Sequence, residues 1–443
     1  MQRRTHFHGK ETNATNTAPQ LLKLPLEIRR HIYLLMLNFS SHDHSSLMCV
    51  CNQICTEARE SFFHRPLVCR SPNDLVTFVE SRQRKTLDSI TSLQLRLEEV
   101  EADVMQPYLT KIVMGTPMPA DQHPYLVEID RITRALAKLP SVTRLAVLRP
   151  SDANKTIPAS IVVTGVLKWA AQHYTKLQHL RVEIESCRLD SLSGFRELRS
   201  LRMPGCSESG SVRIADVLSK LGYLEELDIC GPSPGLQLRQ KHAAYQSKIV
   251  QSATHRLFEQ VKPLKRLRLS EVIDSNGKAS ALLTPKTVKA LYEIHKDSLR
   301  VLHISANDPP SEAFVAYISA FLIAAPDLQE LRIAWPKMEV SFLDCLPNSV
   351  RQLEMATASH EKAQAIVDRL AAMKYRLQRL QKLKFSIINQ PAEIQASGDK
   401  QDAISFSLPI QTLASPLNSP WPIIWDVWQP LLPDCIRPDS TLV

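Results

Sequence analysis

Apolar positions along this chain return again and again in one short phrase, Leu-x-x-Leu-x-apolar. It occurs at Ile90/Leu93/Leu95, Val142/Leu145/Val147, Leu177/Leu180/Val182, Leu198/Leu201/Met203 and Leu224/Leu227/Ile229. It continues at Leu264/Leu267/Leu269, Leu299/Leu302/Ile304, Leu328/Leu331/Ile333, Val350/Leu353/Met355 and Leu380/Leu383/Phe385. In each copy the second and third apolar residues alternate with polar ones, the period of a strand with one buried face. The first apolar residue stands earlier, in the turn. One copy buries too little to fold alone, whereas stacked copies share one continuous core.

Helical patterns fill the spaces between copies: Ile132-Leu136-Leu139, Val166-Leu167-Ala170, Ile214-Val217-Leu218-Leu221, Ile249-Leu257-Val261, Val288-Leu291-Ile294 and Ile366-Leu370-Met373. From the second copy on, the spacing runs from 21 to 40 residues. Spacings of 30 or more leave room for a helix after each strand, so the sheet should be parallel with helices on its convex side. A tenfold recurrence of this phrase is the strand signature of leucine-rich repeats. Two copies run on to Cys206 and Asn307, types that can bond loop backbone in the turn after the strand. The predicted fold is therefore α/β, a repeat solenoid over residues 90–388. Residues 98–130 and 231–248 read as loops, and Ala313–Ala325 as a buried helix, too short to span a bilayer.

Outside the repeats the pattern changes. Residues 1–19 are polar and read as a disordered tail. Residues 20–66 read as a small all-helical module. Leu24-Pro25 opens it, Ile28, Ile32 and Leu35 follow at helical spacing, and Pro66 stops it. A second helix carries Leu47, Val50, Cys51, Ile54, Ala58 and Phe62. Residues 67–89 read as a linker. Within 389–443, a tail, Trp421, Trp425 and Trp428 recur at helical spacing. They predict a cap that closes the last repeat, or an anchor for a partner helix.

Composition narrows the function classes. Only 11 glycines occur in 443 residues, against 29 prolines, which disfavours phosphate-cradling loops. Asn276-Gly277-Lys278-Ala279-Ser280 lacks the upstream glycine of such a loop, since position 272 is Val, and reads as a turn. The net charge of +9 favours acidic partners, but no basic block points to nucleic acid. Nine scattered cysteines and a polar N-terminus suit free thiols in the cytoplasm or nucleus. His42, His44, Cys49, Cys51 and Cys55 match no standard zinc spacing and read as core or surface residues. No catalytic constellation is defensible from spacing, and neither a cofactor, a metal nor a membrane is implied. The chain reads as a binder, not an enzyme.

The N-terminal module resembles the F-box. Leu24-Pro25-x-Glu27-Ile28, then Ile32, then a helix with Leu47, Val50 and Cys51 follow that pattern in order. The wording Leu24-Pro-Leu-Glu-Ile-Arg-Arg-His-Ile-Tyr33, with Val50-Cys51-x-Gln53-Ile54-x-x-Glu57-Ala58, is similar to F-box-like proteins of filamentous fungi. The resemblance implies a substrate-recognition subunit of a cullin-type (SCF) ubiquitin ligase. Leu24, Pro25, Ile28, Ile32, Leu35, Leu47, Val50 and Cys51 would dock the Skp linker, and the repeats would capture a protein substrate. The sequence departs from the pattern at Asn52 and Ile54, where the common F-box has Arg and Trp. A helical cap on the repeat core is the other reading of the module, and a ligase-independent scaffold the other reading of the chain.

Alternation also predicts what the concave strands show to a partner. The residue between the second and third apolar positions should face outward, giving Gln94, Ala146, Arg181, Arg202, Asp228, Arg268, His303, Arg332, Glu354 and Lys384. Arg266 and Lys382 stand two residues upstream on the same face. Arg181, Arg202, Arg266, Arg268, His303, Arg332 and Lys384 are the candidate substrate contacts, suited to an acidic or phosphorylated segment because arginine forks grip carboxylate and phosphate. The competing reading is that these are solubilising charges on an exposed sheet.

Overall fold

The structure is a computed structural model. It describes residues 20–39, 51–54, 56–57, 66–98, 124–150, 156–184, 187–231, 250–251, 253–271, 282–357, 359–388 and 423–428. The chain divides into two units, Met1–Leu67 and Val68–Val443.

In the first unit a 3-10 turn, Gln20–Lys23, precedes helix α1 (Leu26–Phe39), and residues 52–54 and 56–57 are helical. The Pro25 carbonyl accepts the first helical bond, from Arg29 N at 3.0 Å, so the proline's missing N–H costs the helix nothing. Tyr33 and Ile54 are buried together, with Leu21, Leu22 and Cys51 packed against them. Arg29 and Tyr33, one helical turn apart, both reach Glu57. Arg29 Nε and Nη2 donate to the two carboxylate oxygens at 2.8 and 2.7 Å, and Tyr33 Oη donates at 3.0 Å. Arg29 Nη1 also donates to the Leu22 and Leu24 carbonyls.

The second unit is mixed α/β. Its strands are β1 (Leu67–Cys69), β2 (Ser92–Arg96), β3 (Arg144–Leu148), β4 (His179–Val182), β5 (Ser200–Pro204), β6 (Cys206–Ser207) and β7 (Glu226–Cys230). They continue with β8 (Val250–Gln251), β9 (Arg266–Glu271), β10 (Val301–Ala306), β11 (Glu330–Ala334), β12 (Gln352–Thr357), β13 (Lys382–Ile388) and β14 (Ile423–Trp428). All but β6 and β8 form one open, twelve-stranded sheet in chain order, and every pairing from β2 to β14 is parallel. Each copy of the phrase supplies one strand. All three of its apolar side chains are at most 5% exposed in every copy, including the early residue in the turn. A continuous inner core built from one strand per repeat makes the sheet solenoid-like.

Helices fill the connections: α2 (Pro72–Ser81), α3 (Arg84–Asp88), α4 (Pro124–Leu136), α5 (Thr156–His173), α6 (Ser211–Ser219), α7 (His255–Gln260), α8 (Pro285–Ala290), α9 (Glu312–Ala324) and α10 (His360–Ala372). Connection length decides which element forms. The two shortest repeats, starting at Leu177 and Leu328, hold only 3-10 turns, Asp190–Gly194 and Val340–Cys345.

Several expectations are corrected. Residues 67–89, expected as a linker, form β1, α2 and α3. The start of α2 was legible as Ser71-Pro72-x-Asp74: Ser71 Oγ accepts from Asp74 N at 3.1 Å, and Asp74 Oδ2 accepts from Ser71 N at 3.2 Å. Residues 124–130, placed in a loop, belong to α4. Helix α9 buries one stripe, Phe314, Ile318, Phe321 and Leu322, and leaves Tyr317 and Ile323 exposed. Cys206 Sγ donates to the Gln251 side chain, at the point where β6 pairs antiparallel with β8. Residues 423–428 are a strand, not a helix. Ile423, Trp425 and Val427 fall in register with Leu383, Phe385 and Ile387, so the helical spacing of the tryptophans misleads and the segment extends the sheet. Trp421, the Asn276–Ser280 turn, the 1–19 tail, His42, His44, Cys49, Cys55, Ala58 and Phe62 lie outside the described residues.

Candidate functional site

Two surfaces follow from these elements, one on each unit. On the first unit, Leu24 and Ile28 are 37% and 49% exposed. Pro25 between them is exposed and Ile32 half-buried. The start of α1 thus brings Leu24, Pro25 and Ile28 together in solvent. Cys51, a candidate for the same surface, instead packs against the Tyr33–Ile54 core. Leu35 lies on α1 but its side chain is outside the described residues, as are Leu47 and Val50 altogether. The module holds its shape through a group the pattern of apolar residues does not reveal. Hydrogen bonds from Arg29 hold the Glu57 carboxyl down at about 2, against the opposing effect of burial. Gln53 Nε2 adds a donor at 2.9 Å.

On the second unit, strand register aligns the predicted outward residues in one row. Gln94, Ala146, Arg181, Arg202, Asp228, Arg268, His303, Arg332, Glu354 and Lys384 are consecutive cross-strand partners. A second row, one alternation upstream, runs Ser92, Arg144, His179, Ser200, Glu226, Arg266, Val301, Glu330, Gln352 and Lys382. Their neighbours Leu93 to Leu383 point to the core, so these rows occupy the sheet face turned from the helices.

Carboxylates thread through the cations. Arg181 Nε donates to Glu183 at 2.6 Å, Arg202 lies 3.6 Å from Asp228, and Arg266 lies 3.7 Å from Glu226. Glu354 takes Arg332 at 3.2 Å and Lys384 at 3.5 Å. His303 Nε2 sits 2.7 Å from Glu330 Oε1. Burial pushes the His303 pKa down, so at neutral pH the ring is uncharged and donates Nε2–H to the carboxylate. The same hydrogen bond lowers Glu330, and Arg266 and Arg268 reinforce the shift. Glu226 and Glu330 are the residues that a single outward row misses. Extending the alternation two residues upstream from Asp228 and Arg332 finds both.

No family model matches the chain, and no curated protein matches it. Among solved structures, it is similar to the crystal structure of the Rad7 and Elc1 complex in yeast. The identity is 13%, covering 85% of this chain and 92% of that one, with a TM-score of 0.38. A likeness of that size is too slight to decide fold or partner. Among the described residues no helix is long and apolar enough to cross a membrane.

Proposed function

We propose that this chain is the substrate-binding subunit of a cullin-type ubiquitin ligase. Residues 20–66 act as an F-box-like module that docks the Skp linker, and the sheet of residues 90–388 captures a protein substrate. The observation that carries the reading is the position of Leu24 and Ile28. Among the described residues the module packs Leu21, Leu22 and Cys51 on Tyr33 and Ile54, and it presents two large apolar side chains to solvent at the start of α1. Exposed apolar groups placed together in this way suit a partner's apolar surface. Ile54, at the position where the F-box pattern has Trp, is 1% exposed and serves the module's interior. On this reading the docking surface lies on the α1 side.

The mechanism is proximity: the module holds the ligase, the sheet holds the substrate, and transfer chemistry belongs to other subunits. The chain itself needs neither cofactor nor metal and works in the cytoplasm or nucleus, where cullin ligases act, with no nucleic acid or membrane as partner. Affinity purification of the tagged chain from a fungal extract, beside Ile28→Asp, tests this. Ile28 is half-exposed, so the substitution spares the core. Linker and cullin should accompany the native chain and be missing from the variant. If neither form brings them down while both stay folded, the chain is a ligase-independent scaffold.

A further inference from the structure

The outward face of the sheet carries about twice as many cations as carboxylates in its two aligned rows, and one of those cations, Arg268, is left out of the ion pairs. Register sets Arg268 between Asp228 on β7 and His303 on β10. Asp228 leans the other way, toward Arg202 at 3.6 Å. His303 is neutral and engaged with Glu330 at 2.7 Å. Among the described residues Arg268 takes part in no ion pair, and its Nε is buried without a hydrogen-bond partner. Two residues upstream on the same strand, Arg266 has Glu226 at the edge of contact, 3.7 Å, and its Nε is likewise buried without a partner. Both side chains are half-buried and not fully covered, so an acceptor from a partner can approach them.

We propose that Arg266 and Arg268 together receive one aspartate or glutamate side chain from an extended segment of a protein partner. This deepens the reading of the sheet as the capture surface and rests on it. Alternate residues of a strand stand about 7 Å apart on one face. The two oxygens of a carboxylate offer enough lone pairs to accept from both forks. The neighbouring charges select carboxylate over phosphoryl. Asp228, Glu226 and Glu330 stand on the strands flanking β9 or one beyond, with strands about 4.8 Å apart. Attraction to the two arginines grows in proportion to the ligand's charge, whereas the cost of stripping its water grows as the square, so a half-buried pair flanked by carboxylates favours a carboxylate over a phosphoryl dianion.

The test is fluorescence anisotropy on the full chain with three labelled peptides: alternating Glu and Ser, alternating Lys and Ser, and alternating phosphoserine and Ala. The Glu–Ser peptide should bind in a salt-sensitive way and the Lys–Ser peptide should not. Arg268→Gln should weaken Glu–Ser binding about tenfold or more, the size expected for loss of a charge-assisted contact. Arg144→Gln, on the same face but remote along the sheet, should leave it within about twofold. Arg268→Lys keeps the charge, loses the fork and should fall between, and it substitutes if the glutamine variant fails to fold. Absence of Glu–Ser binding, equal losses in the Arg144 and Arg268 variants, or tighter binding of the phosphoserine peptide would each overturn the assignment. Linker capture is read separately through Ile28, so a failure here leaves the docking reading intact.

Discussion

Two polar side chains that no apolar pattern reveals hold their surroundings, His295 by hydrogen bonds and Glu57 by an ion pair as well. His295 is fully buried in a π-helical turn, Leu291–His295. Its Nδ1 accepts from Leu264 N at 3.1 Å, and its Nε2 lies 3.0 Å from the Phe258 carbonyl. Those partners dictate a neutral ring with its proton on Nε2. Burial lowers the pKa, so this contribution to stability is full above the ordinary histidine value and is lost as pH falls below about 6.5. His295→Ala strands a buried amide and a buried carbonyl and should cost about 2–5 kcal/mol in urea unfolding at pH 7. The variant should also lack part of the native chain's acid sensitivity; identical pH profiles would contradict the role. Glu57 is the counterpart in the first unit. Its depressed pKa means that its stabilisation is present above about 4.5 and disappears as pH falls toward 2. Glu57→Gln should speed hydrogen exchange of the α1 amides at pH 7 relative to the native chain. Amides of the sheet should not respond. Neither residue was legible beforehand, because each depends on partners distant in sequence: Glu57 on Arg29, His295 on Phe258 and Leu264.

At the scale of elements, the ten repeat strands were legible from their alternation, whereas β1, β14 and several helices were not. Alternation places side chains without knowledge of the tertiary structure, which is why the outward row from Gln94 to Lys384 matches the observed register. Helix boundaries depend on what a helix packs against. Helix α9 shows this, since its apolar run, interrupted only by Ser319, suggested full burial and only one stripe is covered. Close approach between helices is equally hidden. A Cβ on Gly165 in α5 would stand 2.5 Å from Ile129 Cδ1 in α4, with the rest of that branched side chain about as near. Alanine would gain about 1 kcal/mol of helix propensity but meet an overpacking cost of about 1–3 kcal/mol. Gly165→Ala should therefore lower the urea midpoint; a raised midpoint would show that Ile129 yields freely. The terminal strand gives a second check. Asp426 pairs with Ser386, and proline there removes a ladder donor. Asp426→Pro should raise hydrogen exchange along Lys382–Ile388 and leave β9 and β10 unchanged. Protection that persists in β13 would mean β14 contributes little to closing the sheet.

For the molecule as a whole, the repeat phrase specifies the larger unit, while the smaller unit owes its surface to residues its own core does not need. Leu24 and Ile28 are apolar, exposed and one helical turn apart, and neither belongs to the described cluster around Tyr33 and Ile54. The sheet, for its part, carries cations interleaved with carboxylates, which favours a partner with selective charge placement over nonspecific polyanion binding. A protein that joins two partners in this way needs each surface to work while the other is idle. The most direct measurement is a calorimetric titration of the purified full chain with a purified Skp-type linker, beside Ile28→Asp and Arg268→Gln. Saturable binding by the native chain and by Arg268→Gln, abolished in a folded Ile28→Asp, is the predicted result. No binding by the native chain, or binding that Ile28→Asp leaves unchanged, would contradict the docking role of α1.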